Sequence, residues 1–167
     1  APRHDRVGRM TGYLSALTDI GDLKRIEETL RASEARFRNY FELPLIGMAL
    51  NGPDKRWWEV NDRLCEMLGY RRAQLLRMSW AEVTHPDDLI IEEAQFERAM
   101  NRRIDGYSLE KRFIRQDGEL LYANLSTRCV LQASNVVSYF VTVVQDITEQ
   151  QRLEAEGHVI EQQGRLL

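Results

Sequence analysis

Cysteine is scarce in this chain, and a basic surplus, a long apolar run and a nucleophile with its base are all missing. Cys65 and Cys129 are the two cysteines among 167 residues. Neither belongs to a Cys-x-x-Cys pair or lies near paired histidines, so neither a disulfide framework nor a zinc site is expected. Isolated thiols of this kind read as reduced core residues of a cytoplasmic protein. Lys and Arg number 23 against 26 Asp and Glu, a net charge of −3, which excludes the concentrated basic face that nucleic acid requires. No apolar run approaches the ~20 residues of a membrane-crossing helix, and no secretory leader core is visible, so no direct membrane contact is expected. Nucleophilic catalysis needs a base beside Ser, Cys or Thr. No His stands near Cys65 or Cys129, Glu110 and Asp117 are most of a strand apart, and no glycine-rich phosphate loop occurs. The chain is therefore read as non-catalytic, with no metal ligands.

What is present is enough apolar material, 43% of residues, for one good core. The most informative stretch is Tyr139 to Glu154, YFVTVVQDITEQQRLE. Phe140, Thr142 and Val144 share one face of a strand while Val141 and Val143 share the other, so neither face is wet and the strand is central. Asp146-Ile147-Thr148 follows as a strand-to-helix corner: Asp and Thr can bond the free amides of a starting helix, and Ile147 can anchor the turn in the core. A central strand that runs straight into a departing helix suits a relay, with Asp146, Ile147 and Thr148 as its residues.

Residues 12–28 lie over residues 139–155, with Asp19 on Asp146, Ile20 on Ile147, Arg25 on Arg152 and Glu27 on Glu154, an offset of 127 residues. That spacing implies two copies of one exit, separated by a domain-sized unit. Residues 1–20 are accordingly read as a loose start and the tail of a preceding repeat. From 21 to 41 the spacing becomes helical. Leu23, Ile26, Leu30 and Phe37 form a narrow apolar seam, interrupted by Ser33 and set among charged residues. Such a seam calls for a partner, either its own sheet or the same helix of a second chain.

The core is expected over residues 42–148. Residues 43–50 read as a short buried strand, 51–54 as a tight turn, and 56–60 as a second strand with Trp57 and Trp58 on opposite faces. Asn61 and Asp62 cap a helix that Gly69 closes. Residues 71–76 form another short helix. Pro86, Asp87 and Asp88 then open a helix that runs to about Met100. Three strands complete the pattern, at 107–115, 120–131 and 136–145, with turns at 116–118 and 132–135. The fold class is α+β: a five-stranded antiparallel sheet with helices on one face and a flanking helix at each end.

The ordered series IGMAL, EVNDRLCEMLGY, THPDDL, SLEKRFIRQDG and DITEQ resembles the PAS domain with its PAC motif, over residues 33–151. The resemblance implies a sensory or dimerisation module of a multidomain bacterial signalling protein. Light-sensing members carry a reactive Cys where Val83-Thr84-His85 stands here, and amide side chains where Phe113, Ala123 and Val144 stand, so flavin is not expected. Haem-binding members offer a His from the long helix; residues 88–101 contain none, and His85 is read as a cap, so haem is not expected either. Two readings of the interior stay open. Phe113, Leu121, Ala123, Leu125, Phe140, Thr142 and Val144 are either a filled core or the lining of a site for an unidentified small ligand, with Ala123 and Thr142 leaving room. Leu153, Ile160 and Leu167 recur every seven residues in the tail at 149–167, which is read as a connector into a C-terminal output domain. A sensor histidine kinase is preferred there, with a diguanylate cyclase or phosphodiesterase as the alternative. The remaining expected partners are a second copy of the chain, through the flanking helices, and the adjacent repeat.

Overall fold

Strand alternation and helical spacing both become hydrogen-bonded elements in the computed structural model, which describes residues 2–166 and the side chains of residues 19–166. The described chain divides between Phe41 and Glu42 into two units. The first is a helix, α1 (Pro2–Phe41). It starts well before residue 21, so residues 2–20, expected as a loose start and a strand tail, have helical backbone instead. No neighbouring strand pairs with that segment among the described residues, and a helix satisfies its amides internally. Leu23, Ile26, Leu30 and Phe37 are all exposed on α1, between 45% and 63%.

The second unit contains β1 (Gly47–Asn51), β2 (Trp57–Val60), α2 (Asp62–Leu68), α3 (Arg72–Leu75), a 3-10 turn at Trp80–Val83, α4 (Pro86–Met100), β3 (Gly106–Ile114), β4 (Leu120–Leu131), β5 (Val137–Asp146) and α5 (Thr148–Arg165). The sheet runs β2-β1-β5-β4-β3 with antiparallel neighbours throughout. As the alternation over 139–145 implies, β5 is central: Thr142 lies opposite Ala49 of β1 on one side and Thr127 of β4 on the other. Phe140, Thr142 and Val144 are buried, while Val141 and Val143 on the opposite face are half-buried. Trp57 and Trp58 divide between the faces as expected, one buried and the other exposed.

β1 begins at Gly47 rather than residue 43. Pro44 has no amide to give a ladder, and Leu45 is 81% exposed, so the segment before Gly47 lies outside the sheet. Asn61 ties that entry to the rest. Its Oδ1 accepts from the amides of Leu64 and Met48, both at 2.9 Å, and its Nδ2 donates to the Ile46 carbonyl at 3.0 Å. One fully buried side chain thus caps α2 and fastens the start of β1 to it.

Asn61→Ala removes the α2 cap and leaves the Met48 amide without its acceptor. Urea denaturation is expected to show a loss of about 2–4 kcal/mol. Asn61→Asp keeps the acceptor and should recover part of that loss.

Candidate functional site

The ladder between β4 and β5 ends at the Ala123–Asp146 pair, and the next rung is built differently. The Ile147 amide still donates to the Tyr122 carbonyl at 2.8 Å. The Ile147 carbonyl, however, has turned to accept the Gln151 amide and so begins α5. Its place on the Tyr122 amide is taken by the Thr148 hydroxyl oxygen, at 3.1 Å. Asp146 Oδ1 accepts the Thr148 amide at 2.9 Å, and Arg115 Nη2 lies 3.8 Å from the other carboxylate oxygen. Ile147 is buried. The acid therefore takes a helix amide, as its position suggests, whereas the hydroxyl reaches across to β4 rather than capping the helix. Beyond this corner α5 has no buried residue, so its direction is set at its first turn.

The seven interior candidates come together on the inner face of the sheet. Phe113, Leu121, Ala123, Leu125, Phe140, Thr142 and Val144 are each at most 2% exposed. A ring from the helical side packs on one of them: Phe96 of α4 is 4.9 Å from Phe140 and 5.4 Å from Trp80, centroid to centroid. A polar string crosses the same face. Asn51 Nδ2 donates to Thr142 Oγ1 at 3.1 Å, and Thr142 and Thr127 share a hydroxyl bond at 3.0 Å. Burial pushes the Tyr107 phenol well above its ordinary value. Among the described residues Asn51 Oδ1 and Trp57 Nε1 are buried without a partner, and the two residues face each other across β1 and β2.

The feature not anticipated from sequence is a buried ion pair. Lys111 Nζ lies 2.5 Å from Glu92 Oε2 and donates to Thr84 Oγ1 at 2.9 Å, with the two charged side chains 0% and 3% exposed. Thr84 passes the bond on to the Trp80 carbonyl. The ammonium also sits 4.0 Å from the Phe113 ring centroid. Burial pushes the Glu92 carboxyl up and the Lys111 ammonium down, and each is opposed by the charge of the other. One residue along β3, Arg112 holds Asp88 of α4. Its Nε and Nη2 donate to the two carboxylate oxygens, each at 2.9 Å, and its amide donates to Oδ2 at 2.7 Å. These bonds hold the Asp88 carboxyl below its ordinary value. His85 caps α4, accepting the Asp87 amide on Nδ1 at 3.2 Å.

Cys65 and Cys129 are free thiols, half-buried, and burial raises both. Among the described residues no group of three His, Cys, Asp or Glu is arranged to hold a metal ion, and no helix is long and apolar enough to cross a membrane.

A profile described as the PAS fold matches residues 58–144. Over 122 residues the chain is 35% identical to the probable diguanylate cyclase DgcE of Escherichia coli strain K12, covering 73% of this chain and 11% of that protein. It is 22% identical over 141 residues to the sensor histidine kinase TmoS of Ectopseudomonas mendocina, covering 84% and 14%. The chain thus spans only a small part of the curated relatives it matches. Among solved structures, the PAS domain of an HTR-like protein from Haloarcula marismortui superposes with a TM-score of 0.61 at 23% identity, covering 74% of this chain and 99% of that one. A domain of a sensory box sensor histidine kinase/response regulator from Geobacter sulfurreducens gives 0.59 at 20% identity, covering 70% and 96%. These two likenesses bear on the fold alone.

Lys111→Met leaves the Glu92 carboxylate buried without its cation, and chemical denaturation is expected to show a loss of about 3–5 kcal/mol. Pairing it with Glu92→Leu should restore most of the loss, because two apolar side chains need no charge partner. For Asp88 the folded state binds its proton more weakly than the unfolded chain does. Its contribution is complete above the ordinary carboxylate value and disappears as pH falls through the lower, folded value. In Asp88→Asn the curve of stability against pH is therefore expected to flatten below about pH 4.

Proposed function

Because the chain belongs to the PAS fold family, we propose that it is a non-catalytic sensory relay of a multidomain signalling protein, passing a conformational change out through Asp146, Ile147 and Thr148. The observation that carries this reading is the hybrid rung at Tyr122, where one residue of β4 holds both the last strand amide and the first helix hydroxyl. A shift of β5 within the sheet then reorients α5 at its first turn, where the helix is anchored. The interior supports the relay over a receptor, since the seven candidates are each at most 2% exposed and the apolar ones among them share one packed core with Trp80 and Phe96.

The output lies C-terminal to α5 in this proposal. Residues 149–167 suggest a kinase connector, which 22% identity to a named histidine kinase supports, and 35% identity to a protein named as a diguanylate cyclase supports a cyclase output as the alternative. Homodimerisation would run along Leu23, Ile26, Leu30 and Phe37 of α1, all exposed, and along Leu153 and Ile160 of α5, also exposed; Leu167 lies outside the described residues. The adjacent repeat read from the match of residues 12–28 to residues 139–155 belongs to the same proposal, as does a cytoplasmic setting, which the two free thiols favour.

A second reading, a receptor for a small molecule, has one observation of its own. Asn51 offers a buried acceptor and Trp57 a buried donor, neither with a protein partner among the described residues. Native mass spectrometry of the purified chain decides between them: a retained small molecule supports the receptor, and its absence together with no thermal shift in a fragment screen supports the relay.

Asp146→Ala in the full-length protein is expected to abolish the response of the output to its stimulus, while denaturation of the domain changes by only about 1–2 kcal/mol. A variant that responds like wild type removes the corner from the mechanism.

A further inference from the structure

The order of the sheet places β3 at an edge, and at one position that edge is occupied by α4. The Arg112 carbonyl accepts the His85 amide at 2.9 Å, and the Arg112 amide donates to Asp88. Both main-chain groups of residue 112 therefore point away from β4 and into the N-terminus of α4. Its cross-strand partner is Tyr122. Because this pair exchanges no main-chain bonds, the amide and carbonyl of Tyr122 point the other way, to Thr148 and Ile147. A single cross-strand pair thus touches α4 with one member and the exit corner with the other. Asp88, Arg112, Tyr122, Ile147 and Gln151 line one surface groove of about 210 Å³, together with Glu110 and Lys111.

We propose that Arg112 is a positioning residue that couples α4 to the exit helix, its bonds to Asp88 setting the position of the Tyr122 rung and hence the start of α5. The inference rests on the relay reading and identifies α4 as the element whose movement the relay reports. Two grips on α4 stand one helical turn apart, at Asp88 and Glu92, and they differ in kind. The Lys111–Glu92 pair is shut inside the core and resists change. The Arg112–Asp88 pair is partly exposed, with side chains 29% and 20% accessible, and can open without unpacking the interior. Arg112 side-chain bonds are thereby placed to give way while the core holds.

The test is amide hydrogen exchange, read by NMR on the full chain, for wild type, Arg112→Ala, Asp88→Asn and the double variant. The amides that report are Ile147 and Gln151, which are bonded to Tyr122 and to the first turn of α5. Asn61 and Leu64, at the β1–α2 junction, serve as the reference. Each single variant is expected to raise exchange at Ile147 and Gln151 by about tenfold with the reference amides unchanged. The double variant should exceed neither single by much, because both remove one interaction. Arg112→Lys, which keeps the charge but not the two-pronged bond, is expected to fall between wild type and Arg112→Ala. Unchanged corner amides in a folded Asp88→Asn protein would overturn the proposal. So would a rise shared equally by the reference amides, or effects that simply add. Exchange at the corner does not depend on any output domain, so a failure here leaves the Asp146 experiment to decide the relay on its own.

Discussion

An antiparallel ladder repeats itself until one strand can no longer offer both its amide and its carbonyl, and in this protein that point is the junction with α5. Ile147 keeps its amide on Tyr122 but has already given its carbonyl to Gln151. Without a substitute, the Tyr122 amide would lack its partner, and the helix would be joined to the sheet by one bond. Thr148 supplies the substitute from its side chain, and Asp146 takes the Thr148 amide that the new helix cannot use. Strand and helix are consequently continuous in hydrogen bonding across the corner. The rest follows from that continuity: β5 is held on both sides by β1 and β4, and α5 inherits its direction at one turn.

The interior is under a second constraint, the cost of polar groups in an apolar space. Glu92, Lys111, Thr84, Thr127, Thr142 and Asn51 are all buried. A buried charge is tolerated only when paired and hydrogen-bonded, and the Glu92–Lys111–Thr84 arrangement meets that condition together with the Phe113 ring. Such a pair stabilises little compared with apolar packing of the same volume. It does dictate how α4 lies on β3, since any slide of the helix separates the two charges in a region that water does not reach. The bonds between Asp88 and Arg112 make the same demand one turn earlier, nearer to solvent.

Much of the architecture was legible because its signals are local. The alternation over 139–145 implied a strand wet on neither face, and β5 is central. Asn61 and Gly69 bracket α2 as their side-chain chemistry requires, with Gly69 at a φ of 75° that other residues rarely adopt. His85 caps α4 as read. The misses have physical reasons too. The segment before Gly47 is apolar enough for a strand, but Pro44 cannot take part in a ladder. Residues 12–20 resemble a strand end in composition, yet they belong to α1, and the backbone closes its bonds as a helix. The buried ion pair had a faint signal: Lys111 falls on the inward phase of β3 between Leu109 and Phe113, and Glu92 lies one turn from Phe96. Each charge looked like an isolated exception until the two elements were placed together.

By itself the sequence determined the order of the strands and α-helices in the second unit, the faces of β4 and β5 that are buried and the residues of the exit corner, because these depend on spacing along a few neighbouring positions. Only the tertiary structure decided which groups meet. It put the Thr148 hydroxyl on β4 rather than on its own helix, closed Lys111 onto Glu92, and aligned Arg112 with Tyr122 between α4 and α5. The Thr148–Tyr122, Lys111–Glu92 and Arg112–Asp88 contacts join residues 19 to 26 positions apart in the chain, beyond the reach of any periodicity. Their partners are chosen by strand register and by the need of buried polar groups for one another.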